Sequence, residues 1–398
     1  MRNEFYVENK RQDADRFVVA DNAVNFGNTL RCLRERMNFT QKKLGELIGY
    51  SEKSVSKWER GDSEPSLATL VNLAQALGTD VNTLVGYSGA PSYFLGVDIG
   101  AVRSVFVLSD KNGKVLRSCD RDGANPVDVG LEYTKNVVDS GISEIIRGIP
   151  CGLVSAFVGV SGFDTGDPNG ELELMLARYG FSKYCVAHSV ESAIAVTLGK
   201  KDGICAIMGT GSIIYAVKNG ERKRIGGYGY LLYDGGCFYD IGRSVIEEAL
   251  MSYHSDIKTM LSSMCEKKLS GNVTDALGNI YRKGKSYISS FAHIAFSAYR
   301  LGDESAVRII ENNISLFTDK LRIALSYFDG GTEVNLIGGM CEYSDVILPI
   351  MERQLENTGV KINVCKYERY YGALLLAGLS MKGDDMYNTN IHTKEIKK

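Results

Sequence analysis

Two glycine-rich strings in the second half of the chain could bring backbone N–H groups close to a phosphate. The first is Gly-Thr-Gly-Ser at residues 209–212, between two apolar runs, and the second is Gly-Gly at residues 338–339. Because glycine has no side chain, such a loop can turn its N–H groups toward a phosphate, while Thr210 and Ser212 add hydroxyl donors. The pair at 338–339 would let an adenine and its ribose lie against the backbone. Either string alone is typical of a tight turn, so only the ordered set predicts a nucleotide site.

Residues 38–61 indicate a different chemistry, because they predict two short helices around a tight turn. Gly49 can close that turn, and Ser51 can cap the second helix by accepting a backbone N–H bond. Val55 and Trp58 would anchor this helix in a small helical core. Its polar side chains would then face outward, which is the arrangement of an element that reads DNA.

Charge is unevenly distributed along the 398 residues. The formal net charge is -2, whereas eight basic residues stand against four glutamates between Arg31 and Arg60. Contact with nucleic acid must therefore come from this local cluster rather than from the overall field. Nine cysteines without a C-x-x-C pair fit a reducing compartment. No window approaches the roughly 20 apolar residues of a membrane span, so we expect a cytoplasmic protein without membrane contact.

The string Thr-Gln-x-x-Leu, followed by Ser and then Ser-x-Trp-Glu-x-Gly, resembles the Cro/C1-type (XRE-like) helix-turn-helix domain. By that resemblance, Gln41 contacts a DNA phosphate. Glu52, Lys53, Ser56 and Lys57 would reach base edges in the major groove. The resemblance also implies double-stranded DNA as a partner and a homodimer that binds two half-sites. A generic helical bundle with solvated charges, or a helix-turn-helix reused for protein contacts, stays as the alternative.

Composition changes at a stretch of Gly, Ser and Pro near residue 88. Apolar residues recur at helical spacing before it, whereas strand-like runs follow it at 93–100, 104–110 and 114–118. The Asn-Gly at 112–113 between the last two runs predicts a β-hairpin. Helix-like stretches then alternate with short buried strands, and this order starts again near residue 203. The pattern predicts two similar α/β lobes that face a ligand cleft.

The expected fold class is α+β multidomain, with an all-α helix-turn-helix domain followed by a two-lobed α/β domain. We expect five segments: an N-terminal extension at 1–24, the helix-turn-helix domain at 25–87, a linker at 88–92, the two-lobed domain at 93–383 and a flexible tail at 384–398.

Several strings of the large segment occur in a defined order: Val-Gly-Val-Ser-Gly from 158, Met-Gly-Thr-Gly-Ser from 208, Tyr-Asp-Gly-Gly from 233, Tyr-Asp-Ile-Gly-Arg from 239 and Leu-Ile-Gly-Gly-Met from 336. Together they resemble the BadF-type ATPase and N-acetylglucosamine kinase family, of the actin, hexokinase and Hsp70 class. That resemblance implies an actin-like (ribonuclease H-like) fold, with ATP and magnesium as cofactors of an active enzyme. The residues themselves assign no cofactor and no metal ligand. Sugar contacts would come from Asn125, Ser161, Thr210 and Asp234. Nucleotide contacts would come from Asp98, Gly100, Gly209, Thr210, Gly211, Ser212, Gly338 and Gly339.

The chain departs from this family on the catalytic side. Family members carry an Asn-Asp pair at the start of a helix, where the aspartate takes the proton from the attacking sugar hydroxyl. His188 and Ser189 stand there instead, and a neutral serine cannot be that base, so no catalytic residue is assigned. Ser189 is expected to cap the following helix, and His188 or Glu191 would be displaced substitutes. The family's Asp-Gly-Gly-Gly-Thr reads Asp-Ile-Gly-Ala-Val from Asp98, and its Asp-Glu-Gly-Ser reads Asp-Gly-Gly-Cys from residue 234.

Two function classes stay open. The first is a transcription regulator whose kinase-like domain has lost phosphoryl transfer and senses a sugar, an amino sugar or a sugar phosphate. The second is an ATP-dependent sugar kinase that carries a DNA-binding domain. A third role, the activation of a radical enzyme, would require paired cysteines for an iron-sulfur cluster, which the scattered cysteines do not suggest.

Overall fold

The computed structural model describes residues 18–19, 26–85, 91–167, 169–232 and 234–379. Most of the predicted N-terminal extension, most of the linker and the predicted tail therefore lie outside the described residues. No helix in the described ranges is both long enough and apolar enough to cross a membrane. The first domain consists of five helices: α1 (Phe26–Arg36), α2 (Gln41–Ile48), α3 (Glu52–Arg60), α4 (Leu67–Ala76) and α5 (Val81–Leu84).

Local capping explains the α2–α3 turn. Thr40 caps α2 by accepting from Lys43 N at 3.0 Å, and Ser51 caps α3 by accepting from Ser54 N at 3.2 Å. Between the two helices, Gly49 adopts a left-handed conformation with φ 77°, which glycine reaches without steric cost. The predicted turn and cap are thus confirmed. Trp58 and the fully buried Val55 attach α3 to the core of this domain.

The second part begins with a six-stranded sheet, in the order β1-β6-β5-β2-β3-β4. Its strands are β1 (Val18–Val19), β2 (Tyr93–Ile99), β3 (Arg103–Asp110), β4 (Val115–Asp122), β5 (Val154–Val160) and β6 (Lys183–His188). The helices of this stretch are α6 (Pro126–Val129), α7 (Leu131–Ile145), α8 (Phe163–Gly166), α9 (Glu171–Ala177) and α10 (Val190–Thr197). The parallel strands β2, β5 and β6 end at one edge of the sheet, where the site residues of this lobe lie.

The predicted hairpin is confirmed, because β3 and β4 pair antiparallel around Asn112 and Gly113. Asp110 stabilises the turn by accepting from the backbone N–H groups of Asn112 and Lys114, at 2.8 and 3.0 Å. Gly113 has φ 81°, which completes the turn.

The third part repeats the same plan. Its five strands are β7 (Gly203–Met208), β8 (Ser212–Lys218), β9 (Glu221–Gly226), β10 (Glu333–Ile337) and β11 (Lys361–Val364). The helices are α11 (Phe238–Ser255), α12 (Met260–Leu269), α13 (Leu277–Ser289), α14 (Ala292–Arg300), α15 (Glu304–Leu325), α16 (Ser344–Gln354) and α17 (Arg369–Leu376). The strand order β11-β10-β7-β8-β9 matches β6-β5-β2-β3-β4 one for one. The repeat predicted to begin near residue 203 is therefore present.

The two lobes exchange their last helices. The helix α10 follows the first lobe in sequence but also packs against β7 and β10 of the second, whereas α17 packs against β2, β3 and β5 of the first. The two helices cross where Gly372 faces Ser192: a Cβ atom at position 372 would lie 1.8 Å from the Ser192 carbonyl oxygen. Only glycine fits this crossing, which joins the two lobes.

Candidate DNA interface and ligand cleft

The outer face of α3 collects the side chains predicted to read DNA. Glu52, Lys53 and Lys57 are exposed and Ser56 is half-buried, while Val55 and Trp58 occupy the opposite face. Residues four apart lie on one side of a helix, so this spacing brings the four polar side chains together. The hydroxyl of Ser56 accepts from Arg60 Nη1 at 2.8 Å. This face of α3 points away from the core of the domain.

Gln41 belongs to a buried network that the sequence did not indicate. Its amide donates to Glu59 Oε2 at 2.8 Å, and Arg34 Nε donates to Glu59 Oε1 at 2.6 Å. Arg34 also donates to the Phe39 carbonyl oxygen at 2.7 Å. The Arg34–Glu59 ion pair therefore links α1 to α3 inside the domain, and Arg34 does not belong to a solvated basic cluster. The phosphate contact of Gln41 stays a prediction.

In the first lobe, the predicted site residues lie at the carboxyl edge of the sheet. Asp98 is near the end of β2, Ser161 follows β5 and Ser189 follows β6. The hydroxyls of Ser161 and Ser189 are 2.9 Å apart, within hydrogen-bond distance. Ser189 is 2% exposed, so its hydroxyl makes this hydrogen bond in the protein interior. The structure thus brings together two positions that are far apart in sequence.

The prediction that Ser189 caps the next helix is wrong. Ser189 has helical angles of φ -58° and ψ -15° and makes no side-chain capping bond, because a capping serine needs extended backbone angles. Its neighbour takes the role: His188 Nδ1 accepts the backbone N–H of Val190 at 3.1 Å. Burial lowers the pKa of His188, which favours the neutral imidazole that this bond requires.

Glu191, the other displaced substitute for a catalytic base, is bound in an ion pair. Both of its carboxylate oxygens accept from Arg222 Nη1 on β9, at 2.6 and 2.7 Å. This ion pair links the first turn of α10 to the second lobe and holds the carboxylate in place.

Asp98 is 5% exposed and forms an ion pair with Arg369, whose Nη2 lies 2.9 Å from Oδ2. Burial raises the pKa of Asp98, and the Arg369 guanidinium opposes that rise. The other carboxylate oxygen, Oδ1, is buried and has no hydrogen-bond partner among the described residues. Nothing in the sequence pattern around Arg369 indicated this contact.

The residues of the cleft do not fit a magnesium ion. Magnesium requires oxygen ligands and water in near-octahedral geometry, but the charge of Asp98 is already compensated by Arg369. Gly235 stands where the family resemblance expects a carboxylate. Within the described ranges, His, Cys, Asp and Glu side chains nowhere come together in a group of three or more that could hold a metal ion.

Asn125, predicted to contact the sugar, caps α6 instead of projecting freely. Its Oδ1 accepts from Val127 N at 3.0 Å, and the residue is 8% exposed. The same oxygen would lie 2.4 Å from a Cβ atom on Gly162, so the loops after β4 and β5 approach each other closely here. A sugar contact would have to share this oxygen or use the amide nitrogen, and it stays a prediction.

In the second lobe, the loop between β7 and β8 meets the segment that precedes α11. Asp234 is buried, its Oδ1 accepts from Gly229 N at 2.9 Å, and Oδ2 would lie 2.7 Å from a Cβ atom on Gly211. Thr210 is half-buried beside them, and its carbonyl oxygen accepts from Tyr239 N at 3.3 Å. Burial raises the pKa of Asp234. The predicted sugar residues Thr210 and Asp234 are thus brought together.

Ser212 has a structural partner that the sequence did not reveal. Its hydroxyl donates to the carbonyl oxygens of Asp234 and Gly235 at 2.6 and 2.8 Å, and accepts from Lys320 Nζ at 2.7 Å. A nucleotide contact of Ser212 would have to compete with these internal bonds, and it stays a prediction. Lys320 also donates to the same two carbonyl oxygens. Burial lowers the pKa of this lysine to about 8.

Gly338 and Gly339 lie beside the first glycine loop. A Cβ atom on Gly338 would lie 2.3 Å from the Met208 carbonyl oxygen, and Gly338 has φ 119°, so glycine is required there. Gly339 begins a short 3-10 helix that leads into α16 at Ser344. The nucleotide positions predicted in the second lobe therefore lie next to one another.

Comparison with known proteins relates each part of the chain to a different family. Residues 95–377 match the model of the BadF/BadG/BcrA/BcrD ATPase family, and residues 30–84 match a helix-turn-helix model. An N-acetylmuramic acid/N-acetylglucosamine kinase from Clostridium acetobutylicum is 29% identical over 300 residues, 72% of this chain and 98% of the relative. The HTH-type transcriptional regulator DicA of Escherichia coli is 39% identical over 54 residues, 14% of this chain and 40% of that protein.

Solved structures share the two-lobed fold. A candidate N-acetylglucosamine kinase from Chromobacterium violaceum has a TM-score of 0.61 at 20% identity, covering 73% of this chain and 100% of its own. A ROK family glucokinase from Streptomyces griseus, in complex with glucose and AMPPNP, has a TM-score of 0.50 at 15% identity, covering 72% and 99%. The two-lobed part is thus an actin-like kinase fold, as the resemblance implied. The chain belongs to the BadF/BadG/BcrA/BcrD ATPase family and carries a helix-turn-helix domain in front of it.

Proposed function

We propose that this protein is a DNA-binding transcription regulator whose kinase-like domain senses a sugar, an amino sugar or a sugar phosphate without phosphorylating it. The observation that carries the proposal is Ser189. Its buried hydroxyl, bonded to Ser161, stands where the family resemblance expects the aspartate that accepts the sugar proton. A hydroxyl cannot take up that proton.

The neighbouring groups support the loss of catalysis. Nδ1 of His188 is occupied by a backbone N–H, and Glu191 is held by Arg222. A misplaced base loses about a hundredfold in rate for a displacement of roughly 1 Å, so neither is an adequate replacement. Arg369 compensates the charge of Asp98 in the first phosphate loop. The changes therefore affect both the proton acceptor and the phosphate side of the cleft.

Sensing requires a ligand that binds the open and closed arrangements of the lobes with different affinity. The loops that contain Ser161 and Thr210 belong to different lobes, so a sugar bound to both would favour closure. A change of lobe angle can alter the spacing of two helix-turn-helix domains in a homodimer. The dimer itself is part of the proposal, and sedimentation of the purified protein tests it.

The second candidate is an ATP-dependent sugar kinase that carries a DNA-binding domain. It is favoured by the similarity to a kinase that this chain matches over 98% of the kinase's length. The glycines retained at 209, 211, 338 and 339 favour it too. In that case ATP and magnesium would be its cofactors.

Phosphoryl transfer distinguishes the two candidates. We expect the purified protein to show no turnover above background when N-acetylglucosamine, N-acetylmuramic acid and glucose are offered with Mg-ATP in a coupled assay. If turnover is observed, the variants Glu191→Gln and His188→Gln identify the substitute base, because only the variant that lacks it would lose the rate. Turnover at ordinary kinase rates, about 1 to 100 per second, would establish the kinase and end the sensor proposal.

DNA binding is tested on α3. We expect Lys53→Ala and Lys57→Ala each to weaken binding to the operator by about tenfold, because each removes a charged contact worth about 1 to 3 kcal/mol. The measurement is fluorescence anisotropy with the fragment that the wild-type protein selects from random duplex DNA. Lys111→Ala, an exposed lysine in the β3–β4 turn, is the matched control and is expected to bind as the wild type. Equal affinity of all variants would exclude α3 as the reading helix.

A further inference from the structure

Arg369 brings a positive charge from the end of the second lobe to the loop that follows β2. It is the first residue of α17, and its Nη2 bonds Asp98 Oδ2 at 2.9 Å. A Cβ atom on Gly100 would lie 3.4 Å from the same nitrogen, so the guanidinium lies directly against this loop. The Arg369 side chain is 25% exposed, whereas that of Asp98 is 8% exposed. A ligand can therefore reach the guanidinium more readily than the carboxylate.

The surroundings of Arg369 favour an anion. The helices α10 and α17 occupy equivalent positions in the two lobes, and both begin at the carboxyl edge of the first sheet, where helix N-termini carry partial positive charge. Ser189 adds no negative charge at the start of α10. Burial disfavours the charged form of His188, and Arg224 and Arg369 act in the same direction. The carboxylate of Asp164 opposes them from α8.

The carboxylates near Arg369 are mostly paired. Glu191 is compensated by Arg222, Asp98 by Arg369 itself, and Glu368 and Asp120 by Arg103, while Asp164 lies exposed on α8. Arg224 adds a further cation, although its N–H groups donate to the carbonyl oxygens of Gly226 and Gly227. A metal ion would add more positive charge to a place that already has a fixed cation.

We propose that Arg369 takes the place of magnesium in this cleft and binds the phosphate group of a phosphorylated ligand directly, so that binding needs no metal ion. A guanidinium presents a planar fork of N–H donors that matches a phosphate with two parallel bonds. A sugar phosphate offers such a phosphate group, and so does a nucleotide.

This inference rests on the proposed function, because a cleft that does not transfer a phosphoryl group can take a phosphorylated ligand as a signal. The proposed function does not specify which chemical group of the ligand is recognised; here it is a phosphate, and Arg369 recognises it. This role of Arg369 also explains why the first phosphate loop can keep Asp98 and lose its fit to magnesium.

Isothermal titration calorimetry of the full chain tests the inference. The probes are N-acetylglucosamine 6-phosphate, N-acetylglucosamine and ADP, each in magnesium chloride and in EDTA. We expect the wild type to bind a phosphorylated probe with the same Kd, within about twofold, in both buffers, and to bind the uncharged sugar at least about tenfold more weakly. Binding of the sugar phosphate identifies a sugar effector, and binding of ADP with the same metal independence identifies a nucleotide.

The variant Arg369→Lys keeps a positive charge for Asp98 but removes the fork of guanidinium donors. We expect it to bind the phosphorylated probe about tenfold more weakly and to bind the uncharged sugar with unchanged affinity. Arg300→Gln is the matched control, since Arg300 is an exposed arginine of α14 that pairs with Asp345 of α16 in the second lobe. If Arg369→Lys does not fold, the double variant D98N/R369Q removes both charges of the pair and is expected to lose the same binding.

Three results would overturn the inference: affinity that requires magnesium, an Arg369→Lys variant that binds as the wild type, or no binding of either phosphorylated probe. These results are separable from the fate of the proposed function. Kinase turnover would refute the sensor whatever Arg369 does, whereas an inactive protein with metal-dependent binding would refute only the role of Arg369.

Discussion

Lys320 carries an ammonium group into the interior of the second lobe, beneath the segment that leads to α11. It is 2% exposed and donates to the Ser212 hydroxyl and to the carbonyl oxygens of Asp234 and Gly235. The Ser212 hydroxyl has only one proton for these two carbonyl oxygens, so without Lys320 one buried acceptor would lack a full hydrogen bond, at a cost of about 1 to 3 kcal/mol. One side chain thus holds in place the loop that contains the predicted sugar residue Asp234.

This buried lysine predicts a pH dependence of stability. Its pKa is about 8 in the folded protein and 10.5 ordinarily, so between these values the unfolded chain binds a proton that the folded chain lacks. The free energy of unfolding should therefore rise with pH, by about 2 kcal/mol between about pH 7.5 and about pH 9.5. Urea denaturation of the wild type and of Lys320→Met at both pH values measures the difference. Lys111→Met is the control, and an equal rise in all three proteins would contradict the prediction.

The fate of single residues shows how far the sequence can predict a site. The replacement at Ser189 could be predicted, because the family string around it is local. Ser189 and Ser161 could be expected to lie close together, because they follow neighbouring strands, but the hydrogen bond between them could not be predicted. Arg369 and Lys320 escaped prediction because their partners, Asp98 and Ser212, are distant in sequence and no short pattern surrounds either cation.

Among the elements, the pair α10 and α17 determines how the lobes are joined. The two helices cross at Gly372, which has no side chain between its backbone and the Ser192 carbonyl oxygen. On the other side of α17, a Cβ atom on Gly96 of β2 would lie 2.9 Å from the Leu374 backbone nitrogen. Two glycines therefore allow α17 to lie close to both neighbours: Gly372 of α17 faces α10, and Gly96 of β2 faces α17.

A methyl group at this crossing should be strongly destabilising. We expect Gly372→Ala to lower the free energy of unfolding by more than about 2 kcal/mol, because the backbones must separate to admit it. Gly278→Ala is the matched control: Gly278 lies in α13 with open space around its Cβ position, so alanine there should be neutral or stabilising by up to about 1 kcal/mol. Thermal unfolding measures both. Equal stability of the two variants would show that the crossing is loose.

Elements whose signals are local were predicted correctly. Asn112 and Gly113 give the β3–β4 hairpin, and Gly49 with Ser51 gives the turn before α3, because turn and cap chemistry acts over a few residues. The exchange of α10 and α17 depends on packing between distant segments and has no such signal. The capping of α10 by His188 instead of Ser189 depends on backbone angles that side-chain type alone does not determine.

At the scale of the whole molecule, the helix-turn-helix domain lies against the first lobe. The Arg36 guanidinium stacks over the Tyr179 ring at 4.3 Å, and Thr83 Oγ1 accepts from Gly152 N at 3.4 Å. A cavity of about 150 Å³ remains between α1 and the residues after α9. Tyr179 is fixed from behind, since its hydroxyl bonds Asp139 and Ser143. The loop of Tyr179 leads into β6, which ends at His188, next to Ser189.

The stacking of Arg36 on Tyr179 should control how firmly this domain is held. We expect Arg36→Gln to reduce amide hydrogen-exchange protection in α1 and α5 by about fivefold, because a cation–π contact contributes about 1 kcal/mol. Arg31→Gln is the control, since Arg31 lies on the same helix and pairs with Glu35 only among the described side chains. Mass spectrometry of exchanged peptides gives the readout. Unchanged protection in Arg36→Gln would mean that the domain is held by other contacts.

The exchanged helices make the two lobes incomplete without each other. A chain ending after β6 and α10 would expose the face of its own sheet that α17 covers, and a chain beginning at β7 would lack the cover that α10 provides. Neither half is a self-sufficient folding unit, although the strand plan is the same in both. Loss of structure on one side of the cleft is therefore expected to spread to the other in a single cooperative transition.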